Sequence, residues 1–217
     1  MFTNTYLPHV GGVAKSVSSF EADLRRLGHG VLIVSPTFPD QDAKDDDNVL
    51  RVPAIQNFNG SDFSVRIPLP FIIDEEIDRF RPDIIHSHHP FLLGDAAMRA
   101  AFRRNLPLVF THHTLYEQYT HYVSSHSEAM KRFVIKMTSA YANLCSHVVA
   151  PSRSIADLIS KRGVTTPVTI IPTGIDFEQF QTGDGRRFRK SLEIPEYCRI
   201  IGHLGRLAPE KNLSYLA

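Results

Sequence analysis

The chain lacks several features that would place it in common protein classes. Its two cysteines, Cys145 and Cys198, lie far apart without metal-type spacing, so we expect reduced thiols that pack as small side chains. No apolar run approaches the ~18 residues that a membrane-spanning helix needs, and no basic segment followed by an apolar one marks a secretory leader. We therefore predict a cytoplasmic protein, with peripheral contact to the inner face of the membrane left open.

The chain also lacks an excess of either charge, with 24 lysines and arginines against 23 aspartates and glutamates. A nucleic-acid-binding domain would show a basic excess, so nucleic acid is not expected among the partners. Apolar residues make up 42% of the 217 residues, which is enough to bury a sizeable core. These values favour one large folded domain, or one domain and part of another.

Segments with the pattern of strands alternate with segments with the pattern of helices. Val13, Val17 and Phe20 begin a helical stripe that glycines end near residue 28, and a short apolar run follows at 31–36. Further strands are predicted at 49–53, 63–68, 82–89, 106–113, 147–151 and 168–172, and helices at about 72–80, 94–105, 127–145 and 153–162. This alternation predicts an α/β fold with a parallel sheet covered on both faces.

The pattern changes near residue 175. Glycines and an aspartate at 183–185 open a polar, linker-like segment, and an apolar strand is predicted at 199–207. One strand and the beginning of a helix cannot form a core by themselves. We therefore predict an N-terminal domain over 1–175 and, over 176–217, a linker and the truncated start of a second domain.

Gly11 and Gly12 lie where a buried strand gives way to a helix. Free backbone N–H groups and the helix dipole make such a junction a site for an anion, and the missing side chains allow a phosphate to approach. A tight turn without a ligand explains the same pair, and the spacing is not that of a dinucleotide fingerprint.

Arg206 and Lys211 follow a later predicted strand, where two cations either neutralise a diphosphate or are simply solvated.

Histidines follow two of the predicted strands: His86, His88, His89, His112 and His113. The ends of parallel strands are where α/β folds bind ligands, so a histidine there is expected to polarise or hydrogen-bond a ligand. A metal-dependent hydrolase using His86, His88, His112 and His113 is also open. Against a metal, adjacent histidines on an extended chain point to opposite faces, and no Asp or Glu lies immediately beside them.

Aromatic residues follow the second group of histidines, in the segment 113–123. Tyr116, Tyr119, His121 and Tyr122 are candidates to line an acceptor pocket, and they equally suit packing of a loop against the sheet. The sequence leaves both interpretations open.

Two of the predicted helices are basic. The segment 128–137 carries Lys131, Arg132 and Lys136 among apolar residues, and the helix at 94–105 carries three arginines. Such a helix either docks on anionic lipid or forms an ordinary solvated surface. An anionic membrane surface is therefore a candidate partner.

Several stretches, taken in order, resemble a known enzyme family. "TNTYLPHVGGV", "APSRSIADLI", "GIDFEQF" and "GRLAPEKN" resemble the retaining glycosyltransferases of family four, which have the GT-B fold. "THHTLYEQYTHYV" is similar to a stretch of the bacterial diacylglycerol glucosyltransferases. The resemblance implies two Rossmann-like domains that transfer a hexose from a nucleotide sugar, such as a UDP-hexose, to an acceptor hydroxyl with retention. The implied acceptor is diacylglycerol, another lipid or a small molecule, and no cofactor or metal is implied.

The resemblance also assigns roles to individual residues. Gly11 and Gly12 match the glycines that approach the donor diphosphate, and Arg206 and Lys211 match the basic pair that stabilises the leaving diphosphate. His113 matches the active-site histidine near the transferred sugar. The acceptor-binding residues it implies are Tyr116, Glu117, Tyr119 and His121. The E-x7-E element of the family does not occur in this sequence, so the chain alone is expected to be nearly inactive.

Two alternatives to this enzyme stay open. The first is the metal-dependent hydrolase built on the histidines, which an analysis of bound metal would identify. The second is a non-catalytic ligand-binding α/β domain of flavodoxin-like or periplasmic-binding type.

Overall fold

The structure of the protein is a computed structural model that describes residues 1–38, 47–55, 65–66, 70–122, 127–175, 177–205, 207 and 212–216. The chain divides into two compact units, Met1–Gly174 and Ile175–Ala217. Strands alternate with helices in the first unit, and the described part of the second contains short helices. The acceptor-side and donor-side roles of the domains at 1–175 and 176–217 stay predictions.

The strands of the first unit form parallel pairs, with one exception. They are β1 (Ile33–Pro36), β2 (Val49–Val52), β3 (Ala54–Ile55), β4 (Val65–Arg66), β5 (Ile85–Ser87), β6 (Leu108–Thr111), β7 (His147–Ala150) and β8 (Val168–Ile170). β1 pairs with β2, and β5, β6, β7 and β8 pair in that order, all in parallel. β3 and β4 form a separate antiparallel pair. In the strand predicted at 63–68, residues 65–66 form β4, and the other four residues lie outside the described part.

The first residues of the chain join the two parallel groups. Phe2 forms parallel bridges to Val34 of β1 and Ser87 of β5. Its N–H donates to the carbonyl of His86 at 2.8 Å, and the N–H of Thr3 donates to that of Val34 at 3.0 Å. The spatial order is therefore β2, β1, Phe2, β5, β6, β7, β8. The order along the chain reverses at Phe2, and open α/β sheets bind ligands beyond the carboxyl ends of the strands at such a switch point.

The helices follow the predicted order. They are α1 (Gly12–Arg26), α2 (Pro70–Phe80), α3 (Leu93–Arg104), a 3₁₀ helix (Tyr116–Tyr122), α4 (Glu128–Asn143), α5 (Arg153–Lys161), α6 (Phe177–Gln181), α7 (Gly185–Ser191) and α8 (Leu213–Leu216). The Ser127 hydroxyl accepts from the N–H of Met130 at the start of α4, as the sequence predicted. Such a cap satisfies a backbone donor that has no partner within its own helix. Among the described residues, no helix is both long enough and apolar enough to cross a bilayer.

Apolar side chains are buried on both faces of the sheet. The larger cluster combines strand residues such as Val34, Phe110 and Val148 with residues of α2, α3, α4 and α5. A smaller cluster contains Ile33 and Val17 of α1. Neighbouring residues of a strand point to opposite faces, so Ile33 and Val34 mark the two sides. The predicted α/β fold with a covered parallel sheet is confirmed.

The strand predicted at 199–207 is wrong for the residues that the structure describes there. Residues 199–205 and 207 have no helix or strand, and Ile201 and Leu204 are 75% and 98% exposed. The backbone donors and acceptors of a strand need a neighbouring strand, and the described part of the second unit contains none. An apolar run alone was therefore insufficient to form one.

Candidate functional site at the switch point

Three segments with chemistry-bearing residues leave the same edge of the parallel sheet. The segment after Phe2 leads to Gly11 and Gly12, β5 leads to His88, and β6 leads to His113. Because the strands are parallel, their carboxyl ends lie at one edge. The sequence-predicted glycines and histidines therefore flank the switch point.

The glycines lie at the amino end of α1. Gly11 precedes the helix in extended conformation with φ −170°, and no side chain caps the helix there. A Cβ added at Gly12 would meet none of the described atoms within 4 Å, and one added at Gly11 would meet only the flexible His9 ring, at 3.0 Å. Neither a left-handed backbone nor crowding by the described residues explains these glycines. The arrangement leaves room for an external group beside uncapped N–H donors.

Two side chains hold the loop that precedes α1. The Tyr6 hydroxyl donates to Glu21 of α1 at 2.7 Å. Arg51, the third residue of β2, donates to the carbonyl of Leu7 at 2.6 Å, and its guanidinium lies 5.7 Å from the centre of the Tyr6 ring. The position of the glycine pair therefore depends on a strand that lies far from it in sequence.

The histidines form a stack beside α1. The ring centres of His86 and His88 are 4.2 Å apart, and those of His88 and His113 are 5.2 Å apart. Nδ1 of His88 and Nε2 of His113 share a hydrogen bond of 2.9 Å, and Nε2 of His86 lies 2.7 Å from the Thr111 hydroxyl. Phe20 of α1 contacts the rings of His86 and His88. The rings thus connect β5, β6 and α1.

Burial keeps these imidazoles neutral. Loss of hydration lowers the pKa of His113 to about 4, with a further decrease from His112. The pKa of His88 lies well below its usual value because the ring is buried and because other histidines surround it. Burial also lowers the pKa of His89 to about 3. A neutral imidazole carries one donor and one acceptor, so each ring here is suited to hydrogen bonding.

The histidine geometry gives no support to the metal-dependent hydrolase. Within the described ranges, no three His, Cys, Asp or Glu side chains are grouped so that they can hold an ion. His88 and His113 direct two nitrogens at each other, and the His112 ring packs against Phe110 and Tyr116. The residues are arranged for ring contacts rather than around a common point.

The four predicted acceptor residues all lie in the 3₁₀ helix. The Tyr116 ring packs on Phe91, with ring centres 5.3 Å apart. Glu117 accepts from Arg162, which directly follows α5, at 2.7 Å, and only 12% and 20% of these two side chains are exposed. Tyr119 and His121 are in the same helix, and the side chain of His121 lies outside the described part. The acceptor role of these residues stays a prediction.

Two of the predicted residues cannot be placed at the site. Arg206 and Lys211 lie outside the described residues. Their role at the diphosphate also stays a prediction.

Sequence reasoning missed Asn4. Its amide donates to the carbonyl of Phe91 and accepts from the N–H of Leu93, both at 3.1 Å, while its backbone N–H donates to Nδ1 of His89. Asn4 therefore holds the turn that follows β5. Its partners lie 85 to 89 residues away, so no local pattern could have identified it.

A parallel α/β sheet with such a switch point is the architecture of a Rossmann-like lobe. The model for Glycosyltransferase Family 4 matches residues 10–179, and the chain belongs to this family. This confirms the family that the sequence motifs predicted.

Named relatives extend this result. The alpha-monoglucosyldiacylglycerol synthase of Streptococcus pneumoniae is 30% identical over 98% of this chain and 49% of the relative. The synthase of the same name from Acholeplasma laidlawii is 28% identical over 100% of this chain and 57% of its own length. The GDP-mannose-dependent alpha-mannosyltransferase of Corynebacterium glutamicum is 27% identical over 98% of this chain and 52% of its own length. The chain spans about half the length of these curated relatives.

Solved structures share the fold at low sequence identity. Anabaena HepE in complex with UDP-glucose matches with a TM-score of 0.66 and 16% identity, over 99% of this chain and 54% of that one. A glycosyltransferase from Rickettsia africae matches with a TM-score of 0.55 and 16% identity, over 90% of this chain and 50% of that one. These likenesses confirm the predicted GT-B fold class.

Proposed function

We propose that this chain is the acceptor-side lobe, with the start of the donor-side lobe, of a retaining glycosyltransferase. The enzyme transfers a hexose from a nucleotide sugar to an acceptor hydroxyl. The observation that carries the proposal is the uncapped, glycine-lined start of α1 at the same sheet edge as His113. Membership of Glycosyltransferase Family 4 supports the substrates of sugar transfer as the ligands of this edge.

The chemistry requires charge stabilisation at the leaving group. As the sugar leaves, positive charge develops at the anomeric carbon and negative charge on the departing diphosphate. Fixed N–H donors and cations directed at the diphosphate stabilise this state. In the proposal, the first turn of α1 supplies N–H donors through the space left by Gly11 and Gly12, and Arg206 and Lys211 supply positive charge. No metal is needed for this stabilisation.

We propose UDP-glucose as donor and diacylglycerol as acceptor. The two relatives named as glucosyldiacylglycerol synthases and the UDP-glucose bound to HepE support this choice. The stretch 111–123, which resembles the corresponding part of diacylglycerol glucosyltransferases, also supports it. The mannosyltransferase among the relatives makes GDP-mannose the second donor to test.

A lipid acceptor requires access to a membrane, and α4 offers a suitable surface. Phe133 and Met137 are 55% and 42% exposed on α4, and the exposed residues Arg132 and Lys136 are adjacent to them. Neither Arg132 nor Lys136 forms an ion pair with the described residues. We propose that this face of α4 docks on the anionic inner surface of the membrane, which keeps the enzyme cytoplasmic and peripheral.

The other basic helix is a poorer candidate. The three arginines of α3 all have carboxylate partners: Arg99 with Asp95, Arg103 with Asp74, and Arg104 with Asp74 and Asp78. Their charge is therefore partly neutralised within the unit. This difference makes α4 the surface to test.

The main experiment measures sugar transfer by the full-length protein that contains this chain. Radiolabelled UDP-glucose or GDP-mannose is supplied with diacylglycerol in mixed vesicles, and the anomeric configuration of the product is read by proton NMR. We expect an α-glucosyl lipid. His113→Ala should lower kcat about a hundredfold, because a group near the reacting sugar is removed. His29→Ala, at an exposed position after α1, is the matched control.

Several results would contradict the proposal. Turnover by residues 1–217 alone at the rate of the longer protein would mean that the missing donor contacts are not needed. An unchanged rate in His113→Ala would remove this residue from the site.

For the membrane surface, Arg132→Glu with Lys136→Glu should abolish sedimentation with phosphatidylglycerol vesicles, whereas Arg99→Glu should not.

A further inference from the structure

We propose that His88 is a positioning residue that fixes the tautomer of His113, so that His113 presents Nδ1–H to a substrate oxygen. The inference rests on the proposed function, in which His113 lies near the transferred sugar. It adds to the site a residue that follows the neighbouring strand β5, and it states which nitrogen of His113 faces the ligand.

The contact between the two rings is direct. Nδ1 of His88 lies 2.9 Å from Nε2 of His113, and the ring planes are inclined by 26°. Such a distance is that of an ordinary hydrogen bond. The strands β5 and β6, which end just before the two residues, are neighbours in the sheet, so His88 and His113 leave it side by side.

His88 is a rigid partner. Its side chain is 0% exposed, and its backbone N–H donates to the carbonyl of Phe2 at 2.9 Å. The ring of His86 lies 4.2 Å away on one side, and Phe20 contacts the same ring from α1. These contacts leave His88 little freedom to rotate away from His113.

One proton lies between the two nitrogens, because burial keeps both rings neutral. If His113 donated from Nε2, the proton of His88 would be on Nε2. That nitrogen is buried and has no hydrogen-bond partner among the described residues. A buried N–H without an acceptor is rare and costly. If His88 donates from Nδ1 instead, only a lone pair is buried without a partner.

The second arrangement determines the state of His113. Its Nε2 accepts from His88, so its proton must be on Nδ1. Since Nε2 is occupied, Nδ1 is the nitrogen that remains for a ligand. His113 then acts as a donor to a hydroxyl or phosphate oxygen rather than as a base.

The first test reads the tautomer without using activity. The full-length protein is labelled with ¹⁵N-histidine, and long-range proton–nitrogen spectra assign the ring nitrogens. The spectrum of His113→Asn identifies the signals of His113. We expect a protonated Nδ1 and an unprotonated Nε2 at pH 7.5. Nε2 as the protonated nitrogen would overturn the inference.

Two substitutions of His88 separate positioning from packing. His88→Leu fills the space but offers no donor, whereas His88→Asn places an amide near the former position of Nδ1. In His88→Leu we expect a changed His113 tautomer and a loss in kcat of about tenfold, with KM within about twofold. His88→Asn should retain the tautomer and recover most of kcat. His147→Leu is the control, because His147 also forms a hydrogen bond across neighbouring strands, to the Thr169 hydroxyl, but lies at the start of β7, at the opposite edge of the sheet from the site.

The outcomes are distinguishable. Thermal unfolding of each variant shows that it is folded before kinetics are compared. Equal kcat losses in His88→Leu and His88→Asn would mean that the residue only packs, which overturns the inference. A wild-type protein that transfers sugar but carries the Nε2–H tautomer would contradict the inference and leave the proposed function standing. A protein without transfer activity would contradict the proposed function and the substrate contact, while its spectrum still reports the ring pairing.

Discussion

The first unit, Met1–Gly174, and the second, Ile175–Ala217, differ in where their large apolar side chains lie. Phe110 in the first is fully buried, whereas Phe180 and Phe188 in the second are 66% and 57% exposed. No described residue of the second unit is buried. The comparison teaches that tertiary burial stabilises the elements of the first unit, while the short helices of the second depend on local interactions.

The largest expected difference is between two phenylalanines. Phe110→Ala should lower the free energy of unfolding by about 4 kcal/mol, because it leaves a cavity in the core. Phe188→Ala should change it by less than about 0.5 kcal/mol, because that ring is largely in water. Urea denaturation followed by circular dichroism measures both. Similar losses in the two variants would contradict the comparison.

Two glycines give a slightly smaller contrast. A Cβ at Gly94 would lie 1.9 Å from the backbone oxygen of His89, so Gly94→Ala should cost about 3 kcal/mol. A Cβ added at Gly183 would meet none of the described atoms within 4 Å, so Gly183→Ala should change the free energy of unfolding by less than about 0.5 kcal/mol. Thermal unfolding temperatures of the two variants check this. A stable Gly94→Ala protein would mean that the turn after β5 can move.

Acid should destabilise the first unit through its buried histidines. In the unfolded chain they bind protons near pH 6.5, whereas the folded pKa of His89 is about 3. Between these values the unfolded state binds more protons, so stability is fully present above pH 6.5 and decreases as the pH falls. Each such histidine contributes about 1.4 kcal/mol per pH unit. Urea midpoints between pH 7.5 and 5 measure the slope.

His89→Asn provides the matched control for the acid effect. An asparagine oxygen can accept the hydrogen bond that Asn4 donates to Nδ1 of His89, without binding a proton. The slope of stability against pH should therefore decrease by about one proton. An unchanged slope would show that His89 is not protonated on unfolding in this range.

The smallest contrast is between two helix caps. In the first unit, the hydroxyl of Ser152 accepts from the backbone N–H of Ile155. In the second, the carboxylate of Asp184 accepts from the backbone N–H groups of Arg186 and Arg187. Ser152→Ala should lower the free energy of unfolding by about 1 kcal/mol. Asp184→Ala should reduce only the local helicity of α7, which amide hydrogen exchange would report. A loss of global stability in Asp184→Ala would contradict this prediction, because the first unit would then depend on the stability of α7.

The elements that sequence predicted best are those set by local patterns. The helical stripe from Val13 to Phe20 and the cap at Ser127 both depend on residues within a few positions of one another. The strand at 199–207 failed because pairing depends on a distant segment. For the same reason the sequence placed histidines at strand ends but not the contact between His88 and His113, whose partners are 25 residues apart.

Glu117 illustrates the limit at the level of one side chain. The resemblance assigns it to the acceptor, but the carboxylate contacts Arg162, which is 45 residues away. Nothing in the stretch around Glu117 indicates such a partner. The motif therefore gives a prediction for the segment but does not indicate the contacts of each residue within it.

Phe2 and its neighbours have a consequence for the precision of the switch point. The short segment that leads to the glycines is attached by main-chain hydrogen bonds to β5, which leads to His88, on one side and to β1 on the other. In the proposed enzyme, the separation between the donor phosphate at the glycines and the imidazole of His88 is therefore set by the backbone. We therefore expect that substitutions of the side chains along this segment leave that distance unchanged as long as the main-chain hydrogen bonds are kept.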